Sequence, residues 1–389
     1  MYKIQTLNKI SPIGLDLFPR DDYEIASEIV NPDAIVLRSF KMHDMEIPQS
    51  VKSVARAGAG VNNIPIDKCT AQGIIVFNTP GANANGVKEL VLAGLFLSSR
   101  RLVHGIEWAK TLIGKGDEID KLVEKGKSDF AGPEIKGKRL GVIGLGAIGV
   151  MVANDAAALG MEVVGYDPFI SVDAAWRLDH SVKQARSQEA LIAESDYITV
   201  HVPLTDKTKG MFNKERFATM KKGARLLNFA RGDLVNNADL AAALADGTLG
   251  AYVTDFPTDA LLKLDNVIAF PHLGASTPEA EDNCAVMAVN QTRNFLEKGN
   301  IKNSVNFPDC ELDFRAKMRL VIANKNIPNM VGQITGVLAA EKINIADMIN
   351  KHKGELAYNI IDVDGELPAG AADKIRAIEG VIMARVITR

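Results

Sequence analysis

RLGVIGLGAIGVMVANDAAALGMEVVGYDP, from Arg139 to Pro168, is the stretch on which the reading of the whole chain turns. An apolar run, Leu140–Ile143, passes through Gly144, Gly146 and Gly149 in the spacing GxGxxG into an alanine-rich helical segment, and a second apolar run, Glu162–Tyr166, ends on Asp167. A strand that turns at once into a helix needs backbone freedom at the first glycine. The second lets the backbone approach a pyrophosphate, the third lets helix and strand pack closely, and the helix N-terminus faces the phosphates. Asp167 stands where a carboxylate accepts hydrogen bonds from ribose hydroxyls and repels a 2′-phosphate. The DPFIS that begins with it offers no Arg to compensate, so the expected cofactor is NAD rather than NADP.

Downstream, Tyr197–His201, Arg225–Phe229 and Val267–Ala269 continue the alternation of short apolar runs with helical stretches, the rhythm of a parallel, doubly wound sheet. Upstream, Ala34–Leu37, Val51–Ala55 and Ile74–Val76 form a second βα series, followed by a long helical pattern from Val87 to Ile113 and an irregular stretch from Phe130 to Arg139. A helix is expected after Pro271, through Phe295. Beyond the Asn-, Lys- and Pro-rich loop LEKGNIKNSVNFPDCELD, the tail reads strand, helix, strand, strand, helix, strand, the ferredoxin-like βαββαβ order. The expected class is therefore α/β, with two doubly wound parallel-sheet domains and a small ferredoxin-like one.

Composition narrows the function classes. The 45 basic and 48 acidic side chains nearly cancel, and no block of like charge offers a footprint for nucleic acid. Three widely spaced cysteines, Cys69, Cys284 and Cys310, form no CxxC pair, which argues for reduced thiols over a disulfide framework or a zinc site, and no metal is expected. The first residues lack an apolar core of signal-peptide length, no apolar stretch of membrane-spanning length appears, and a cytoplasmic protein is expected.

Three further segments carry chemistry: LLNFARGDLVN, GAYVTDFPTDALL and NVIAFPHLGASTPEA. Each follows or contains a strand, and in open α/β sheets ligands bind beyond the carboxyl ends of strands. Arg231, the acidic pair Asp255 and Asp259, and His272 are thus placed to converge. Interconverting a 2-hydroxy and a 2-oxo acid needs a cation for the carboxylate and the polarised carbonyl, and a proton carrier opposite the hydride. Arg231 and His272 suit these two jobs. A carboxylate beside the imidazole fixes its tautomer and favours its protonated form, and Asp259 is the candidate. His43, His104, His180 and His352 lack a motif and read as surface or packing residues.

GLGAIG, NFARG, DFPTD and PHLGAST, in this order, closely resemble the D-isomer-specific 2-hydroxy acid dehydrogenases. The resemblance implies a discontinuous substrate domain (1–95 and 276–308), an inserted NAD domain (96–275), and the catalytic trio Arg231, Asp259 and His272. It places Gly144, Gly146, Ala147, Ile148, Gly149, Asp167, His201, Pro203, Phe229, Ala230, Asp255 and Gly274 at the cofactor, with Thr79 and Val87 near the nicotinamide. One departure bears on Asp259: relatives usually carry Glu in DVFxxEP, where this chain has the shorter DFPTD.

SVARAGAGVNNIPID resembles the substrate loop of the members that oxidise 3-phospho-D-glycerate. This implies that backbone at Ala59 and Gly60 cradles a carboxylate while Arg56 meets a phosphate. Arg38 and Lys41, nearby in sequence, are candidates for added charge toward a phosphate. The tail, 316–389, resembles an ACT domain. By that resemblance Asn326 and Asn344 bind an amino acid such as serine across a dimer of tails, with Asn329 replacing the usual Gly. Removing the tail should then abolish a serine effect and spare catalysis. A homodimer or homotetramer is implied. The alternatives are a glyoxylate, hydroxypyruvate or 2-oxoglutarate reductase on the same scaffold, and an NAD-sensing interaction protein.

Overall fold

The structure is a computed structural model describing residues 1–368 and 370–389. It divides into two compact units, Met1–Asn83 with Glu281–Arg389, and Ala84–Ala280. In the first unit β1 (Tyr2–Leu7), β2 (Tyr23–Ala26), β3 (Ala34–Leu37), β4 (Ser53–Arg56) and β5 (Ile75–Phe77) pair in parallel in the order β2-β1-β3-β4-β5. Ala34–Leu37 is buried at every position, as a strand covered on both faces must be.

The second unit holds β6 (Arg139–Ile143), β7 (Glu162–Tyr166), β8 (Lys183–Gln184), β9 (Tyr197–Val200), β10 (Ala224–Asn228), β11 (Leu249–Thr254) and β12 (Val267–Ala269), ordered β12-β11-β10-β9-β6-β7-β8. The winding reverses between β6 and β9, and the loop leaving β6 at that switch point is GLGAIG, where a ligand crevice opens in doubly wound sheets. The chain first crosses between units at Asn83 and Ala84 rather than at residue 95, because the helix Ala84–Ser99 buries Val87, Val91 and Leu95 in the core of the second unit.

The expected helix from Val87 to Ile113 is two helices, Ala84–Ser99 and Leu102–Lys110. The Ser98 and Ser99 hydroxyls both donate back to the Leu95 carbonyl, the local competition by which serine disturbs a helix, and Ser99 Oγ also bonds Tyr197 Oη at 2.7 Å. The helix after the PHLGAST loop begins at Pro278, which needs no amide partner at that position, and runs to Lys298.

The tail sheet belongs to the first unit. Its strands β13 (Met318–Lys325), β14 (Asn344–Lys353), β15 (Leu356–Asp364) and β16 (Val381–Thr388) are antiparallel in the order β14-β15-β13-β16, as βαββαβ requires. The two faces of this sheet divide by the alternation of a strand. Leu320, Ile322, Ile361 and Val363 pack on Ile334, Leu338 and Ile375 from its own helices. Val321, Ala323, Tyr358 and Ile360 face the other way and share one core with Phe77, Phe295 and Phe307. Fully buried Arg319 ties the join: its fork meets Asp362 at 2.6 and 2.9 Å and donates to the carbonyls of Lys298, Leu312 and Asp313. The expected separable domain at 316–389 thus shares a continuous core with the rest of its unit. Cys69, Cys284 and Cys310 are buried and unpaired, and among the described residues no helix is long and apolar enough to cross a membrane.

Candidate active site

In the second unit Gly144 adopts φ +91°, a conformation that favours glycine, and a Cβ there would press on the His201 carbonyl. A Cβ on Gly149 would run into the Gly144 carbonyl oxygen, so this glycine is demanded by the protein's own packing. Gly146 is different: a Cβ there would meet nothing within 4 Å. It caps the helix Ala147–Ala158, which no side chain caps, so the amides of Ala147, Ile148 and Gly149 precede the first intrahelical bond, from Val150 to Gly146. Open space over an uncapped helix N-terminus fits a pyrophosphate. Gly146→Ala is therefore expected to leave the melting temperature of the cofactor-free protein unchanged while weakening NADH binding at least about tenfold, read by fluorescence titration. A matching fall in melting temperature would assign Gly146 to the fold instead.

Asp167, at the end of β7, accepts backbone N–H bonds from Leu145 and Phe169, each at 2.8 Å, which fixes its carboxylate beside the glycine turn. His201 follows β9; burial pulls its imidazole down to about 4, so it stays neutral at ordinary pH, with Nε2 3.0 Å from Thr199 Oγ1. Pro203 is exposed beyond it. Phe229 is buried and stacks on Phe270, with ring centroids 6.3 Å apart.

A second concavity, about 590 Å3, lies in the same unit at the carboxyl ends of β10 and β11 and is lined by Arg231, Tyr252, Asp255, Phe256 and His272 among others. Arg231 is exposed, with Nη1 2.6 Å from the Ala230 carbonyl. The His272 ring meets Phe256 edge-on at 5.0 Å. Asp255 is 2% exposed, and its Oδ1 has no hydrogen-bond partner among the described residues. Burial raises its carboxyl above the usual range, opposed by the charge of His272, the Gly274 backbone and Arg231. Gly274, which a Cβ would push against Val87, is buried in the same unit.

Asp259 is not brought to this group. It is exposed and ion-paired with Lys263 at 2.5 Å, one helical turn on. The carboxylate that lines the concavity with His272 is instead Asp255, four residues earlier. Sequence reasoning also missed Asn228, which is fully buried. Its Nδ2 donates to the Arg231 carbonyl at 2.9 Å and to Tyr252 Oη at 3.1 Å, and its Oδ1 accepts from Ala230, so it shapes the turn that presents Arg231. The available signal was a polar residue ending the apolar run ARLLN of β10.

In the first unit Arg56 ends β4. Its Nε donates to the Arg38 carbonyl at 2.9 Å and its Nη1 to the Gly60 carbonyl, so the guanidinium braces the loop through Ala59 and Gly60. Arg38 pairs with Glu281 at 2.6 Å, Lys41 is exposed, and Thr79 is fully buried. In the tail, Asn326 Nδ2 donates to Gly354 O, and Asn344 Nδ2 to Asp364 Oδ2. Asn329 takes φ +68°, so the left-handed turn usually given to Gly is formed by asparagine, with its Oδ1 lying over Gly332.

Residues 101–274 match the family model described as D-isomer specific 2-hydroxyacid dehydrogenase, NAD binding domain. The chain is 31% identical to D-3-phosphoglycerate dehydrogenase of Haemophilus influenzae over 407 residues, covering 99% of this chain and 94% of that one. It is 36% identical to D-3-phosphoglycerate dehydrogenase of Archaeoglobus fulgidus over 78% of its own length, but spans only 57% of that relative. Among solved structures, NAD+-bound 3-phosphoglycerate dehydrogenase of Entamoeba histolytica is similar with a TM-score of 0.60 at 26% identity, covering 78% of this chain and 98% of that one. Rhodotorula graminis D-mandelate dehydrogenase, at 22% identity and a TM-score of 0.67 over 80% of this chain and 99% of that one, shares the fold.

Proposed function

This chain belongs to the D-isomer specific 2-hydroxyacid dehydrogenase family, and on that premise we propose that it oxidises 3-phospho-D-glycerate to 3-phosphooxypyruvate, the opening step of serine biosynthesis. The observation that carries the reading is the grouping of Arg231 and His272 around buried Asp255 at the carboxyl ends of strands in the same sheet whose β6 leads into GLGAIG. Bound NAD supplies the hydride acceptor. Arg231 holds the substrate carboxylate and stabilises charge on the forming carbonyl, while His272 takes the hydroxyl proton. Asp255 favours the imidazolium that results, and its unpartnered Oδ1 is the acceptor left for a nicotinamide amide. The Gly-turn residues with Asp167, His201, Pro203, Phe229, Ala230, Gly274, Thr79 and Val87 serve the cofactor. Ala59, Gly60 and Arg56 serve the phosphorylated acid.

A cytoplasmic homodimer or homotetramer with an amino-acid effector at Asn326 and Asn344 completes the proposal. A monomer by sedimentation at micromolar concentration would remove the oligomer from it. The test of function is NADH formation from 3-phospho-D-glycerate, D-glycerate, D-lactate and 2-hydroxyglutarate, each with NAD or NADP. Preference for the phosphorylated acid with NAD supports the reading. Turnover of an unphosphorylated acid alone would keep the Arg231 and His272 chemistry and overturn the substrate.

Asp259→Asn is expected to change turnover less than about twofold and stability by no more than about 0.5 kcal/mol, since an exposed pair one helical turn apart contributes little. A hundredfold loss would return Asp259 to the site.

A further inference from the structure

The first unit contains a cavity of about 660 Å3 along one side of the helix Pro278–Lys298. Its walls are rich in carboxamides: Asn283, Asn290, Gln291 and Asn294 from the helix, and Asn303 from the segment that follows. With Val286 and Met287, which also line the cavity, the helix positions recur at three- and four-residue intervals, so they form one face. Gln291 is 8% exposed, yet neither its Nε2 nor its Oε1 has a hydrogen-bond partner among the described residues. A buried carboxamide with both ends unpaired is costly, and side-chain amides in this position are normally satisfied. At the rim Lys302 and Glu311 stand side by side, exposed and only loosely paired at 3.9 Å.

We propose that this cavity is a binding site for a small zwitterion, a molecule carrying an ammonium and a carboxylate a few bonds apart. Carboxamides donate and accept in equal measure and add no net charge, so they suit a ligand of both polarities rather than an anion or a cation alone. Lys302 takes the carboxylate and Glu311 the ammonium, replacing a weak surface pair by two charge-assisted bonds. Gln291 then pairs its amide ends with the ligand's polar groups. The site is separate from Asn326 and Asn344 of the tail. Gly81 and Ala82 on its wall lead to the first crossing between units, and Asn283 lies just past the second, so an occupant holds both segments by which the chain leaves and re-enters this unit.

The test is titration calorimetry on the full chain, using glycine and L-alanine as zwitterions and acetate and methylammonium as single-charge controls. These are run on the wild type, on Gln291→Leu, on Lys302→Gln with Glu311→Gln, and on Asn326→Ala with Asn344→Ala. The expected result is binding of the zwitterions alone, kept when the tail asparagines are replaced and weakened at least about tenfold by Gln291→Leu and by the rim pair. The rim variant, altered only at exposed side chains, remains decisive if Gln291→Leu fails to fold. No heat at about 10 mM zwitterion, or binding lost only with the tail asparagines, overturns the site. Substrate turnover does not enter the readout, so failure here leaves the dehydrogenase reading untouched.

Discussion

A chain ended after residue 315 is expected to lose its first unit, not merely a regulatory attachment. Val321, Ala323, Tyr358, Ile360 and Ile387 would be withdrawn from the core that holds Phe77, Phe295 and Phe307. The larger of these side chains contribute roughly 1.5–3 kcal/mol each by leaving water and Ala323 about 0.8 kcal/mol, so their joint loss is on the order of 10 kcal/mol. That is comparable to the whole stability of a domain, about 5–15 kcal/mol. Polar ties go with them: Arg385 donates to the Leu296 and Phe295 carbonyls, Tyr358 to Gly299, and Lys353 to Ser304 and Val305. Expression of the truncated chain should give insoluble protein, or a fragment in which only residues 84–280 resist proteolysis. A soluble truncated chain with unchanged melting temperature and turnover would show that the tail is independent.

A milder version separates the join from the tail's own fold. Arg319→Met removes the charge that Asp362 and three backbone carbonyls are arranged around, leaving a buried carboxylate uncompensated. Breaking such a pair from one side commonly costs about 3–5 kcal/mol. Replacing Asp362 by Asn in the same chain should recover part of the loss, because it removes the stranded charge.

The residues explain what could be read in advance. GLGAIG, followed by a carboxylate at the end of the next strand, specified both the sheet and its switch point, because a turn this tight tolerates few other sequences. The join between tail and first unit was written in MRLVIANK and LAYNIIDVD, which are apolar or buried at nearly every position. A sheet covered on one face alone would alternate, so continuous burial signals a second covered face, though not which element covers it. Asp259 lies outside the group around His272 for a different reason. Spacing along the chain places it near His272, but the Lys263 four residues on offers an equally local partner, and only the backbone decides between them. Asn228 carried no signal beyond its polarity, since its role depends on where the β10 turn brings Arg231 and Tyr252.

The largest effect on chemistry is expected at His272. Replacement by Asn keeps a polar side chain of similar reach but removes the group proposed to accept the substrate proton, so turnover should fall about 10²–10⁴-fold, with NADH binding little changed. Asp255→Asn tests the companion role by a sign that a packing defect does not share. Burial raises the Asp255 carboxyl, so the folded state disfavours its charge, and the stability it contributes is present at low pH and lost as pH rises through the raised value. Asn removes that burden, and the variant should melt no lower than wild type at neutral pH. The concavity loses its buried carboxylate beside His272 at the same time, so turnover should fall although the melting temperature holds. Wild-type turnover in Asp255→Asn, together with a collapsed melting temperature, would make Asp255 a structural residue and leave His272 to act without a carboxylate.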